Sequence, residues 1–459
     1  MRAGRIPEKD IGIIHFVGIG GSGMSALAEL ALSQGMEVSG SDISESRITR
    51  RLAGKGMTVY IGHSGTNLGN AEAVVYSSAV RPDNPELLEA GKKGMPLLHR
   101  SDLLNMMMKA RTGITVAGTH GKSTVTAMLA TILDAAGESP SLAAGAEIPG
   151  LGGNFLAGEG RFFIAEADES DRSFLKYQPF AGIVTNIDSE HLDNYRDIDD
   201  INNAFLCHLN SMSEEGAAVC CLDDPNLRKL LPSVRSRVIT YGLKPGACYT
   251  AVDIEQLGLK TSFSIFNDSG RLGKIDLPMP GEVNVLNALA ASALSLFLGI
   301  DFAAVRSALN SFPGLSRRME FKGEVDNIWV MDDYGHHPTE IKAALKAFLK
   351  LNRRIILIFQ PHRFSRTKHL LQELADSFSD ADELLLLPIY PAGEQPTEEG
   401  LSERLALEIK KRRHVTFFTS GDSAAEHLEN TARPKDLIIT MGAGDVWKTG
   451  EAFLGKKNS

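Results

Sequence analysis

The chain has 459 residues, 43% of them apolar and 23% charged, and a formal net charge of −9. This length exceeds one ordinary core and points to about three domains. The acidic balance supplies no broad basic face, which excludes a nucleic-acid scaffold but leaves room for small anions held by local basic groups. Cys207, Cys220, Cys221 and Cys248 show no C-x-x-C spacing, so neither a zinc site nor a disulfide framework is predicted.

Met1-Arg2-Ala3-Gly4-Arg5 runs into Pro7, Glu8, Lys9 and Asp10 without the apolar core of a signal peptide. The apolar stretch Ala288 to Ile300 is too short and too serine-dotted to insert in a membrane. A reducing, cytoplasmic setting is the expectation.

Ile11 to Val17 has the pattern of a buried strand and is followed by Gly18-Ile19-Gly20-Gly21-Ser22-Gly23, a helix through Leu32, and a second strand ending at Asp42. This is a G-x-G-x-x-G turn in a βαβ frame with an acidic residue at the end of the second strand. Such a turn reads a pyrophosphate-like group, so a nucleotide-sugar diphosphate fits as well as NAD. Val74 to Val80 is a further predicted strand carrying Ser77 and Ser78, and Met106 to Met108 read as core. A boundary is predicted between Lys109 and Gly113.

Val116-Ala117-Gly118-Thr119-His120-Gly121-Lys122-Ser123-Thr124 follows an apolar run and precedes residues with helical apolar spacing. In a strand, glycine turn and helix of this kind, backbone N–H groups converge on one point and a lysine adds its charge. Lys122 is therefore predicted on the β/γ-phosphates and Ser123 or Thr124 on a magnesium ion. The loop is shorter than the usual form, which has glycine where Val116 stands.

Arg161 to Ala165 carries a strand into Glu166-Ala167-Asp168-Glu169-Ser170-Asp171, four carboxylates placed where an open α/β sheet faces its ligand crevice. Gly182 to Ile187 is again a strand, ending in Asp188-Ser189-Glu190-His191-Leu192-Asp193; His191 suits either a second metal ion or a turn cap. Asn284 and Asn287, one helical turn apart, suit a base or sugar, or capping.

Phe312-Pro313-Gly314 reads as a hinge. Beyond Arg317-Arg318-Met319-Glu320, two strands end in Asp333-Tyr334-Gly335-His336-His337-Pro338 and in Gln360-Pro361-His362-Arg363-Phe364-Ser365-Arg366. They deliver histidines and arginines to one sheet edge, where an anionic substrate group fits. The paired histidines suit hydrogen bonding better than a metal, since no third ligand has suitable spacing. A last strand, Leu437 to Met441, enters a glycine turn, and the Lys456-Lys457 tail reads as solvated.

Taken in order, Gly18 to Ser25, Gly118 to Thr124, Glu166 to Asp171, Asp333 to Glu340 and Gln360 to Arg363 resemble the motifs of the Mur ligases of bacterial cell-wall synthesis over nearly the whole chain. The resemblance implies an α/β protein of three domains. Residues 1–110 would form a Rossmann-like UDP-substrate domain, 111–313 a central P-loop ATPase domain with a mainly parallel sheet, and 314–459 a Rossmann-like domain on the amino-acid side. It also implies that the first glycine turn, with Gly18, Gly20, Gly21, Ser22, Gly23, Asp42, Ser77 and Ser78, serves a UDP-sugar rather than NAD.

By the same resemblance, ATP would be held by Gly118, Thr119, His120, Gly121, Lys122, Ser123, Thr124, Asn284, Asn287, Arg318, Asp333 and His336. Magnesium would lie on Ser123, Glu166 and His191, and the catalytic set would be Lys122, Glu166 and His191. His337, His362, Arg363 and Arg366 would face substrate or amino acid. The chain departs from relatives at Val283, where a histidine is usual. It also departs at Ala204-Phe205-Leu206-Cys207, where several sister ligases carry a carbamylated lysine.

The missing lysine favours the branch that joins L-alanine to UDP-N-acetylmuramic acid through an acyl phosphate. The alternatives are a sister ligase adding another amino acid or peptide, a nucleotide-switched binding protein, and a dinucleotide-dependent oxidoreductase, which leaves the Lys122 loop unexplained.

Overall fold

The structure, a computed structural model, describes residues 11–148, 153–191, 194–395 and 399–457. The run before Ile11 discussed above, and Leu192 and Asp193, lie outside the described residues. Contacts divide the chain into two compact units. One runs to Thr250 and takes in Asn267–Gly270 and Asn287–Leu309; the other holds Ala251–Phe266, Arg271–Leu286 and the chain from Asn310.

The first unit contains two sheets, one all-parallel and one parallel except at an edge strand. β1 (Ile13–Val17), β2 (Glu37–Asp42), β3 (Thr58–Ile61), β4 (Ala73–Tyr76) and β5 (Leu97–His99) form one, in the order β3-β2-β1-β4-β5. All neighbours in it are parallel. Ile14, Phe16 and Val17 in β1 and Val74 and Val75 in β4 are fully buried, which is why these strands read as unbroken apolar runs. The order reverses between β1 and β4, where sheets of this class bind ligands beyond the strand ends. β4 stops at Tyr76, short of the predicted Val80, so Ser77 and Ser78 lie past the strand, in the crevice loop.

The second sheet uses β6 (Thr112–Ala117), β7 (Ser141–Ile148), β8 (Gly153–Leu156), β9 (Phe162–Glu166), β10 (Ala181–Val184), β11 (Ala217–Cys221) and β12 (Arg237–Gly242). Their order is β12-β11-β10-β6-β9-β7-β8, and only β8 runs antiparallel, against β7. The helix Lys122–Ala135 follows central β6, and from Ser123 to Ala130 every residue is buried. A helix enclosed on all sides in this way fixes the loop at its start.

The second unit begins with consecutive strands β13 (Tyr249–Leu257, within it from Ala251), β14 (Lys260–Asn267, within it to Phe266) and β15 (Gly270–Leu277, within it from Arg271). Its main sheet contains β16 (Glu320–Val325), β17 (Ile328–Asp333), β18 (Arg354–Phe359), β19 (Glu383–Leu386), β20 (Thr416–Phe417) and β21 (Asp436–Met441), in the order β16-β17-β21-β18-β19-β20. Edge strand β16 is antiparallel and the rest are parallel. Along β18, Ile355, Leu357 and Phe359 enter one core cluster while Ile356 and Ile358 enter another, the two-residue alternation of a strand covered on both faces.

The apolar stretch predicted from Ala288 belongs to a longer helix, Glu282–Phe297, whose first turns fall in the second unit and the remainder in the first. No helix among the described residues is long and apolar enough to cross a membrane. Lys456, read as merely solvated, pairs with Glu429 at 2.8 Å.

One buried group outside the crevices makes the first unit pH-sensitive. His208, fully buried on the helix Ile198–Leu209, contacts Thr115 Oγ1 (3.2 Å) and the Phe174 carbonyl (3.3 Å), and burial pushes its pKa down to about 4. Between pH 6.5 and 4 the unfolded chain takes up a proton that the folded one refuses, so this stability is present above pH 6.5 and is lost as pH falls. The loss amounts to about 2 kcal/mol between pH 7 and 5. The thermal midpoint of the native chain should therefore drop further between pH 7 and pH 5 than that of His208→Gln.

Candidate functional site

The loop after β6 has its shape imposed by its neighbours. Gly118 adopts φ +130°, and a Cβ there would stand 2.0 Å from Thr185 Oγ1 and 2.9 Å from Thr185 N. Gly121, at φ +84°, begins the helix, and a Cβ on it would meet Asn287 Oδ1 at 2.7 Å. The loop after β10 clasps the glycine loop. His120 N donates to Asn186 Oδ1 (2.8 Å), Asp188 N to Thr119 Oγ1 (2.9 Å), and Thr185 Oγ1 to the His120 carbonyl (2.6 Å). His120 Nε2 lies 3.2 Å from Asp188 Oδ2.

Lys122 folds back over this loop. Its ammonium donates to the carbonyls of Gly118 (2.6 Å) and Thr119 (3.2 Å) and to both oxygens of buried Glu169 (3.0 and 2.8 Å). Burial works against the ammonium, but the adjacent Glu169 and Asp168 carboxylates outweigh it and raise the pKa, so the lysine stays charged. Ser123 Oγ donates to Glu166 Oε1 (3.1 Å), whose other oxygen accepts from Gly145 N (2.9 Å). Ser123 and Glu166 are hard oxygen donors meeting at a helix start, a set that suits magnesium.

His191, at φ +58°, both begins a turn and reaches Glu169. Its carbonyl accepts from Asn194 N (2.8 Å), and its Nε2 lies 3.4 Å from Glu169 Oε1. Burial lowers its pKa, but the hydrogen bond to Glu169 and the nearby Glu190 charge raise it overall. Metal ligation would require the neutral imidazole.

The carboxylate run therefore divides by position. Glu166 and Glu169 face the glycine loop, whereas Asp168 and Asp171 face the first sheet. Asp168 Oδ2 lies 3.2 Å from Arg100 Nη2; burial opposes its ionisation, but Lys122, Ser170 N and Arg100 bring its pKa down to about 2. Asp171 accepts from Ser78 Oγ and lies 3.9 Å from His99 Nε2.

At the first glycine turn, Gly18 N and Ile19 N donate to the Ser41 carbonyl (2.8 and 2.9 Å), and Gly20 N donates to Asp42 Oδ2 (2.8 Å). Asp42 thus ties its strand end to the turn. Gly21 is the N-cap of the helix Ser22–Ser33. The Ser22 side chain lies outside what the structure describes.

In the second unit, Asp333 is buried and accepts from Met319 N (2.8 Å) and Gly335 N (2.7 Å); burial pushes its pKa up to about 6. Arg318 lies over the Tyr334 ring (4.9 Å) and 3.7 Å from Glu340. The His336 and His362 ring centroids are 5.8 Å apart, so the ends of β17 and β18 do meet. His362 stacks on Tyr390 and accepts from Arg366 Nη1 (3.0 Å); burial and the surrounding positive charges hold its pKa down to about 3. Arg363, at φ +69°, approaches Glu394 (3.9 Å). His337 has a structural position. It is the N-cap of the helix Pro338–Leu349, accepting from Thr339 N, which gives its ring a structural partner. Asn284 donates to the Pro280 carbonyl (2.8 Å), a contact on its own helix start.

Three family models match the chain in succession: Mur ligase family, catalytic domain over residues 13–112; Mur ligase middle domain over 116–295; and Mur ligase, glutamate ligase domain over 317–444. The chain belongs to the Mur ligase family. It is 46% identical over 446 residues to a UDP-N-acetylmuramate--L-alanine ligase of Geotalea uraniireducens, covering 96% of this chain and 97% of that one. Its identity to the enzyme of the same name from Geobacter sulfurreducens is also 46%, with the same coverage. Among solved structures, the UDP-N-acetylmuramate-alanine ligase of Thermotoga maritima superposes with a TM-score of 0.82 at 30% identity, covering 97% of this chain and 99% of that chain. This Mur ligase thus has the family's three-domain α/β fold.

Within the first unit, the structure brings Lys122, Ser123, Glu166, His191 and Asn287 around one loop. It adds Glu169, which joins Lys122 to His191, and Arg100, which sequence reading passed over. Glu169 had a signal, since it lies three residues beyond Glu166 in the acidic run; Arg100 had only its place after a short strand.

The Mur ligase loop leaves no room for a methyl group at its first glycine. Gly118→Ala should weaken ADP binding at least tenfold by calorimetry, about 1.4 kcal/mol. Adding Thr185→Ala should not restore it, because the Thr185 backbone nitrogen remains in the way.

Proposed function

We propose that this chain joins L-alanine to the lactyl carboxylate of UDP-N-acetylmuramic acid at the expense of ATP, through an acyl phosphate, releasing ADP and phosphate. The observation that carries the reading is a charged lysine and a seryl–carboxylate pair converging on a phosphate loop. It occurs in a chain matching L-alanine-adding ligases over 96% of its length.

A carboxylate is a poor electrophile, so its oxygen attacks the γ-phosphorus and the bond to the ADP oxygen breaks. The neutral amine of L-alanine then attacks the carbonyl of the acyl phosphate, the bond to the phosphate oxygen breaks, and phosphate leaves as hydrogen phosphate with the proton lost by the nitrogen. No protein nucleophile is required. Phosphoryl transfer depends on positioning and charge neutralisation. Lys122 supplies a fixed positive charge by exchanging the loop carbonyls for phosphate oxygens, with Glu169 holding its ammonium in place.

Magnesium, when bound, neutralises and orients the phosphoryl oxygens. Ser123 and Glu166 are its proposed donors, with His191 beside Glu169 as a second position. The glycine turn after β1 is the proposed seat of the UDP diphosphate. The second unit's Asp333 and Arg318 are proposed on the nucleotide side, and His362, Arg363 and Arg366 on the amino-acid side.

Phosphate release from ATP with magnesium tests this reading, with and without UDP-N-acetylmuramic acid, across L-alanine, glycine, L-serine and D-glutamate. Release should require both the sugar nucleotide and L-alanine. Release indifferent to the sugar nucleotide would favour a nucleotide switch, and release with another amino acid would favour a sister ligase. Lys122→Ala should lower kcat roughly a hundredfold or more.

A further inference from the structure

Between the helices Ser22–Ser33 and Arg100–Lys109 and the strands β7 and β9 of the first unit lies a cavity of about 240 Å³, lined in part by Gly23, Arg100, Gly145, Glu166, Asp168 and Tyr177. It extends from the first glycine turn to Glu166, which is itself bonded to Ser123 of the phosphate loop. Arg100 is the only cation among its described lining residues.

The guanidinium spans the cavity. Nη2 lies 3.2 Å from Asp168, and Nη1 lies 2.8 Å from where a Cβ on Gly23 would stand, so the last glycine of the G-x-G-x-x-G stretch leaves room for the arginine. The backbone of Arg100 is fixed because it opens the helix Arg100–Lys109, whose cap pairs His99 N with Asp102 (2.9 Å) and Ser101 N with His99 Nδ1 (3.3 Å).

Accepting the function proposed above, the substrate is anchored by its diphosphate and must bring a carboxylate up to the γ-phosphate. That carboxylate enters a cavity already holding Glu166 and Asp168, and then faces a triphosphate. Its approach needs a cation that can leave one carboxylate for another, and a planar fork suits that exchange.

We propose that Arg100 binds the lactyl carboxylate of the sugar nucleotide, exchanging Asp168 for substrate and holding the nucleophilic oxygen toward the γ-phosphate. Arg100 takes no proton and forms no bond. It offsets the repulsion between two anions and sets their approach.

The test compares UDP-N-acetylmuramic acid with UDP-N-acetylglucosamine, which has the same diphosphate and hexosamine but no lactyl carboxylate. Calorimetric affinities for both are measured on the native chain, Arg100→Ala and Arg100→Lys, with ADP affinity as a further readout. The native chain should prefer the lactyl compound. Arg100→Ala should lose that preference by at least tenfold while its affinities for UDP-N-acetylglucosamine and ADP change less than twofold, and Arg100→Lys should recover part of it.

The ratio of the two sugar-nucleotide affinities within one variant cancels a general loss of folded protein. Should Arg100→Ala not fold, the same ratio in Arg100→Lys decides, because a point charge replaces the fork. Equal losses for both sugar nucleotides would move the arginine to the diphosphate and overturn the proposal. An unchanged ratio would leave Arg100 as a bridge to Asp168 and nothing more. A native chain that binds neither sugar nucleotide would overturn the ligase reading itself, a result distinguishable from either.

Discussion

A lysine ammonium enclosed at the mouth of a glycine loop is the constraint on which the first unit depends. Burial disfavours its charge, so carboxylates must stand close enough to keep it protonated. Glu169 does this directly, and the strand that brings Glu169 there also brings Glu166 and Asp168. Placing β9 beside β6 is therefore an electrostatic requirement as well as a packing one. Without that neighbour, Lys122 would have only two backbone carbonyls to satisfy it.

The acidic run turns this requirement into a connection. Successive residues past a strand end point in different directions, so one short segment serves two sheets: Glu166 and Glu169 toward the phosphate loop, Asp168 and Asp171 toward Arg100, Ser78 and His99. A run of four carboxylates, which in isolation resembles a solvated loop, is bonded on both sides.

Much of the fold was legible because its strands are buried on both faces. The apolar runs at Ile13–Val17, Phe162–Glu166 and Arg354–Phe359, ending in glycine, in carboxylates and in Gln360-Pro361-His362 respectively, announce parallel strands and their crevices. The glycine loop between β6 and the helix Lys122–Ala135 was equally legible, since Gly-Lys-Ser after an apolar run and before helical apolar spacing marks a strand-turn-helix.

Partners chosen in three dimensions were hidden. Nothing in the spacing says that Asp42 bonds the glycine turn, that His337 caps a helix, or that Arg100 faces Asp168 from 68 residues away. Nor does it say what occupies the helix where sister ligases carry lysine. Here Phe205 is fully buried and packs edge-on against Phe174 (5.2 Å between centroids), so that face belongs to the core.

The clasp of Thr185, Asn186 and Asp188 on the glycine loop has a consequence for selectivity. A loop whose shape is set by its neighbours gives up little conformational entropy on binding, and as the proposed seat of ATP it meets every triphosphate with the same set of amide donors. Such a cradle measures phosphate and is blind to the base. Discrimination between adenine and other bases must then come from groups outside the loop, and those groups are free to change without disturbing the part that handles the phosphoryl group.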